Sequence, residues 1–203
     1  MKKAKRKVAK PRTAKTSAYH HGDLRKALHS AAASLLEEKG LAALSLRAVA
    51  RRAGVSHAAP YRHYANHEAL LVELAVEGFA ELGAAIASAA STPDNRMDRI
   101  TGIGGAYIRF ASSHPALTQL MFGPQIPNRD SIPALTEAAD AIGAEIGTAL
   151  NDPALGLAVW AAVHGLAMLI VENVIDLGQR RAGNAVLPTR AEILLRSLFT
   201  DQD

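Results

Sequence analysis

The stretch SLRAVARRAGVSHAAPYRHY, residues 45–64, restricts the fold more than any other part of the chain. Ser45 is a helix cap, and Leu46, Val49, Ala50 and Ala53 follow at helical spacing. Gly54-Val55-Ser56 then forms a tight turn, and Ser56 is placed to cap a further helix through about Tyr64. Ala50 and Gly54 stand at the end of one helix and in the turn, where small residues let two helices cross closely. Glycine also reaches the positive φ that a bend of about 90–120° between helices needs. Val55, Val49 and Leu46 plug the angle against a preceding helix, which runs from an Asp23 cap to about Lys39 and stops at Gly40. Leu24, Leu28, Ala31 and Leu35 give that helix one apolar stripe.

The remainder also reads as helix. Ala65-Asn66-His67 interrupts the chain, Glu68 opens a long helix to about Ala90, and further helices are predicted at 96–113, 115–122, 132–150, 153–177 and 189–200. Pro115, Pro124, Pro127, Pro133, Pro153 and Pro188 mark the breaks, and the loops at 123–131 and 178–188 read as mobile. Apolar residues make up 49% of the chain but aromatics only 4%, because alanine supplies much of the apolar count. Alanine favours helix and buries little area, so the pattern suits closely packed helices completed by a partner subunit. No strand-like alternation lasts long enough to compete. The expected fold class is all-α: a three-helix N-terminal part, then a helical C-terminal part.

Pro153 to Val171 is an uncharged stretch of 19 residues. It contains His164, two glycines and many alanines, and a buried or interface helix is expected there rather than a membrane span. With no cysteine, disulfides and thiolate metal sites are excluded, which fits a soluble cytoplasmic protein. His63 and His67 are four apart, but no carboxylate or cysteine completes a metal set beside them. No phosphate loop or nucleophile elbow suggests an enzyme, and no cofactor is implied.

Charge divides the chain sharply. Residues 1–67 hold 15 Lys/Arg against three Asp/Glu, a net of +12, whereas residues 68–203 hold eight against 16, a net of −8. A basic front half is what a polyanion-binding module requires, and an acidic remainder limits non-specific adhesion. Residues 1–16 carry eight Lys/Arg and no acid, so they are expected to be disordered when free. They read either as a solubilising tail or as an arm that tracks phosphate or the minor groove.

A helix from Ser56 to Tyr64 is about 12 Å long, which matches a major groove about 12 Å wide. Ser56 and the helix N-terminus offer donors to phosphate, His57 and Arg62 suit base edges, and Tyr61 and His63 suit fixed phosphate contacts. Ala58 and Ala59 allow close approach, and Pro60 falls in the first turn, where a missing N–H matters least. Tyr64 is expected in the core, and Arg51 and Arg52 at solvated positions.

The run from Asp23 to Leu71 resembles the DNA-binding domain of the TetR (tetracycline-repressor-like) family. The resemblance rests on Ser-x-Arg at 45–47, Ala-x-x-x-Gly-Val-Ser at 50–56, and Tyr-Arg-His-Tyr at 61–64 followed by Asn-His-Glu-Ala-Leu-Leu. Tyr19-His-His-Gly-Asp-Leu24 and Trp160-Ala-Ala-Val-His164-Gly165 resemble a branch of that family with Trp-x-x-x-His-Gly in its C-terminal domain.

The resemblance implies a basic arm at 1–18, a helix-turn-helix DNA-binding domain at 19–67 and an effector-binding and dimerisation domain at 68–203. It implies a transcription regulator, in the family's commoner mode a repressor released from its operator by a small molecule. The alternative is a DNA-binding regulator or architectural protein with no effector. Ser45 and Arg47 match the family's contacts from the second helix, and Ser56, His57, Ala58, Tyr61 and His63 match its recognition-helix contacts. His67 stands where the family usually has a lysine that grips a phosphate. A neutral imidazole makes a weaker, pH-sensitive contact there.

A homodimer on a near-palindromic duplex is implied, paired through helices 153–177 and 189–200. Ala158, Ala161, Ala162 and Leu166 supply a small-residue face, and Leu194, Leu195, Leu198 and Phe199 a larger apolar one. An unidentified effector is expected among Tyr107, Phe110, Met121, Phe122, Trp160 and His164. A core role for Trp160, with His164 bonded to a backbone carbonyl, competes with that expectation. The helix at 68–90 is the expected transmitter.

Overall fold

The computed structural model describes residues 21–91, 93, 95–175 and 189–199. The basic arm and the segment 176–188 lie outside the described residues. Eight α-helices and no strand occur among those described: α1 His21–Lys39, α2 Leu46–Arg52, α3 His67–Ala90, α4 Arg96–Ser113, α5 Pro115–Phe122, α6 Pro133–Leu150, α7 Pro153–Val171 and α8 Thr189–Phe199.

Local chemistry sets most of the boundaries. Ser45 caps α2 as expected, its Oγ accepting from Ala48 N at 3.2 Å. Asn66, Asn95 and Asp152 cap α3, α4 and α7 in the same way. Helix α1 is already under way at His21, so Asp23 lies within its first turn and not at a cap. Helix α7 stops at Val171, short of the expected 177, because Asn173 turns left-handed at φ 59°.

The bundle is built around α3, which packs on α4, α5 and α6, while α7 packs on α4 and α6 and α8 on α4. Helices α6 and α7 make the tightest crossing. A Cβ added at Gly156 would lie 2.5 Å from Gly147 Cα, so only glycine lets the two backbones come this close. One apolar cluster runs from Leu28 in α1 through Leu74, Phe79 and Ile103 to Leu195 in α8, without interruption between the N-terminal helices and the bundle.

Helix α8 divides its apolar residues. Ala191, Leu195 and Phe199 face inward, while Ile193, Leu194 and Leu198 stay exposed. Leu195 and Phe199, expected on a dimer face, are therefore core. Helix α7 is long and apolar enough to cross a membrane by length and composition, at 19 residues and mean hydropathy 2.1; here α4 and α6 pack on it, and 33% of its most apolar window is buried. The loop at 123–131 is pinned where mobility was expected. Arg129 donates to the carbonyls of Met121 (2.5 Å) and Gly123 (3.0 Å), and Ile126 is buried.

Candidate nucleic-acid interface and effector cluster

Gly54 makes the elbow that the spacing predicts, at φ +69°, with Val55 N donating to Ala50 O at 3.0 Å. Beyond it the structure departs from expectation. The helix predicted from Ser56 is not α-helical; Ser56–Tyr64 is a run of turns with a 3-10 segment at Pro60–Arg62. An α-helix capped by Ser56 requires residue 60 to donate to the Ser56 carbonyl. Pro60 has no N–H, and its ring crowds that carbonyl. The Ser56 carbonyl instead accepts from Ala59 N (2.9 Å), and Arg62 N and His63 N bond three residues back (3.2 and 2.9 Å). Pro60 itself is buried at the first position of the 3-10 segment.

The two tyrosines separate cleanly. Tyr64 is 2% exposed, as expected of a core residue, and Tyr61 is 55% exposed. Ser45, Arg47, Ser56, His57, Ala58, Arg62 and His67 are also exposed. They sit at the cap and first turn of α2, the turn after the elbow, the 3-10 segment and the first residue of α3. His63 differs: it is half-buried, and its Nε2 is enclosed with no hydrogen-bond partner.

What holds this elbow on the bundle was not read from the sequence. The Tyr64 hydroxyl donates to Glu73 of α3 at 3.1 Å, and the Arg25 guanidinium of α1 pairs with both oxygens of Glu73. Burial raises the Tyr64 phenol pKa, with the Glu73 charge adding to the effect. Burial works against the Glu73 charge, but Arg25 and the Tyr64 hydroxyl outweigh it and hold that carboxyl below its ordinary range. Arg52 is likewise engaged, its guanidinium donating to both Glu38 oxygens (2.7 and 2.5 Å) and bracing α2 on α1. Only the spacing of Arg25 and of Glu73 on their helices was visible in sequence, not their pairing.

In the bundle, three of the six expected effector residues come together. The Tyr107 hydroxyl and His164 Nδ1 share a hydrogen bond of 3.0 Å, and the Phe122 ring lies 4.4 Å from the His164 ring and 6.4 Å from that of Tyr107. Phe79, not foreseen, meets Phe122 edge-on at 5.0 Å. His164 thus bonds a phenol and not the backbone carbonyl of the competing expectation. Burial lowers its pKa and favours the neutral imidazole, while burial raises that of Tyr107. Trp160 packs its ring over Gly143, and its indole N–H is enclosed beside the Tyr107 hydroxyl. Phe110 pairs with His114 at 5.2 Å, and Met121 lies against Gly78.

An elbowed pair of short elements with polar side chains outward, carried on a helical bundle, defines a helix-turn-helix protein. Residues 28–74 match the family described as bacterial regulatory proteins, tetR family, and residues 100–185 match the tetracyclin repressor-like C-terminal domain. HTH-type transcriptional regulators of Mycobacterium tuberculosis and Mycobacterium bovis are 31% identical over 124 residues. That match covers 56% of this chain and 53% of theirs, about half the length of these curated relatives. A solved protein of unknown function from Rhodococcus sp. RHA1 is 30% identical, with a TM-score of 0.68 over 91% of this chain and 97% of that one. At 14% identity, the regulator FadR of Bacillus subtilis, solved with stearoyl-CoA, shares the fold, with a TM-score of 0.65 over 84% of this chain and 97% of that one. The chain belongs to the TetR family. That family and these Mycobacterium relatives are transcription regulators and not enzymes.

Proposed function

We propose that this chain is a cytoplasmic, homodimeric regulator that binds a near-palindromic operator and leaves it when a small molecule enters the bundle. The observation that carries the reading is the separation of Tyr61 from Tyr64: one phenol anchors the elbow on Glu73, and the other stands in solvent among Ser56, His57 and Arg62. Exposed groups on a fixed backbone reach phosphates and base edges without reordering cost. In this reading Ser45 and Arg47 contact the backbone or a base from α2, Tyr61 and His67 grip phosphate, and Arg62 reads a base edge. His63 helps through its ring face or Nδ1. The basic arm adds sequence-independent attraction.

The regulatory half starts after residue 67. Exposed Leu157 and Leu169 on α7 and Ile193, Leu194 and Leu198 on α8 leave an apolar surface that a second copy covers. The effector is mostly apolar and carries one polar group, which meets the Trp160 indole N–H or displaces the Tyr107–His164 bond. An acyl chain of the kind bound by the Bacillus subtilis neighbour has that balance. Phe122 belongs both to this cluster and to α5, whose other end touches α1 through Glu37. The effector therefore acts on α1 through α5 as well as along α3, and it must bind better to the conformation that is poor at holding DNA.

The decisive experiment is selection of bound sequences from random duplexes by the purified chain. A recovered palindrome with half-sites about 34–36 Å apart is expected. Recovery of no sequence preference at low salt refutes the reading.

A further inference from the structure

Helices α1 and α3 face each other through two polar pairs that advance by four residues on both sides. Arg25 pairs with Glu73, and one turn on His29 Nε2 lies 2.8 Å from Glu77 Oε2. One turn further on, positions 33 and 81 both border the same cleft. There α3 supplies a third carboxylate, Glu81, but α1 supplies only Ala33. Glu81 is exposed and forms no hydrogen bond or ion pair among the described residues.

The missing side chain leaves space. A cleft of about 140 Å³ opens here, with Ala33, Leu36, Leu74 and Leu117 as an apolar floor and Glu77 and Glu81 at its edge. Glu37 also borders it, but that carboxylate is committed to the N-terminus of α5. His29 and His114 also line the cleft, with His29 set against Glu77. An apolar cavity of about 150 Å³ admits a benzene-sized molecule.

We propose that this cleft binds a small organic cation, an apolar body of benzene size bearing one ammonium group. The ammonium sits between Glu81 and Glu77, and the apolar body rests on the Ala33–Leu117 floor. The arrangement is complementary in sign, shape and polarity. It favours the cation over a neutral ligand of equal size, because only the cation gives the carboxylates a counter-charge. The site is separate from the Tyr107–His164 cluster and shares no residue with it. An occupant adds a third tie between α1 and α3, next to the Glu37 contact with α5, so it stiffens the joint from which the elbow is carried.

The probe is benzylamine, protonated at neutral pH, titrated calorimetrically into the full chain at low ionic strength, with benzyl alcohol as the neutral control. Benzylamine is expected to bind about tenfold tighter than benzyl alcohol. Glu81→Gln should bring benzylamine to the level of the alcohol. Ala33→Lys places the chain's own ammonium at the cleft and should abolish binding while the protein stays folded. Equal binding of amine and alcohol, no detectable binding of benzylamine, or unchanged benzylamine affinity in both variants overturns the proposal.

Discussion

Helix α5 is eight residues long and held at both ends by side chains from outside it, which makes Glu37 the sharpest place to test the joint between the N-terminal helices and the bundle. Pro115 opens α5 without an N–H, and His114 makes no side-chain cap. The amides of Ala116 and Leu117 are therefore left to Glu37, 80 residues earlier than Leu117, whose Oε1 accepts from Leu117 N at 2.9 Å and Oε2 from Ala116 N at 3.4 Å. Arg129 closes the other end on the carbonyls of Met121 and Gly123. Both charges have the sign that the helix macrodipole favours.

Losing an N-terminal cap costs about 1 kcal/mol, and losing an anion beside the N-terminus costs about 0.3–1 kcal/mol more. The 3.4 Å contact is long and adds little. Glu37→Ala should thus lower unfolding free energy by about 1–2 kcal/mol, a Tm decrease of about 3–6 °C for a chain of this size. Glu37→Gln keeps an acceptor oxygen and loses the charge, so it should lose about half as much. Urea titration of the full-length protein, followed by far-ultraviolet circular dichroism, reads both variants through their midpoints at constant slope. An alanine variant within about 0.3 kcal/mol of the parent refutes the cap.

The remaining predictions address the elbow, the inner cluster and the tightest packing. Tyr61→Phe removes one exposed hydroxyl and should weaken operator binding at unchanged Tm. His63→Ala should weaken binding and also lower Tm, because that ring is half-buried; a mobility-shift titration with parallel thermal melts separates the two. Burial holds the His164 pKa below the ordinary histidine value of about 6.5, so the unfolded chain takes up a proton that the folded chain refuses. Its contribution to stability is complete above about pH 6.5 and is lost as pH falls from there through the folded value, and His164→Gln should flatten that part of a denaturation-versus-pH curve. Gly156→Ala drives a methyl into the backbone of Gly147 and should cost about 1–3 kcal/mol or more, read by urea unfolding; a variant as stable as the parent would mean that α6 and α7 can separate freely.

Much of this architecture was legible because helical periodicity and capping are local. The bounds of α4, α5 and α6 match the sequence reading to within a residue, since prolines and polar caps stand at their ends. Gly54 was legible for the same reason: the demand for a positive φ is met within three residues. The recognition segment was misread through another local rule, applied one turn out of register. With Ser56 taken as the cap, Pro60 falls on the position whose N–H must close the first α-helical bond, and that single missing donor converts the segment to 3-10 turns. Asn128 and Asn173, both at positive φ, likewise set chain reversals that composition alone does not announce.

The joint was not legible because it is made of pairs far apart in the chain. Arg25 and Glu73 are 48 residues apart, and Glu37 and Leu117 are 80 apart. Nothing in either neighbourhood marks these carboxylates off from the solvated faces on which such residues usually stand. Periodicity does carry a residual signal: Arg25 and His29 on α1, with Glu73, Glu77 and Glu81 on α3, each repeat at four residues. A four-residue repeat of carboxylates on one helix and of nitrogen-bearing side chains on its neighbour sets register only once the helices are known to lie side by side. Register then makes the unmatched Glu81 visible, because an unpaired charge can be recognised only against a pattern that pairs its neighbours. Local rules thus locate the elbow and its exposed polar groups, whereas the contacts that hold the elbow on the bundle emerge only from tertiary packing.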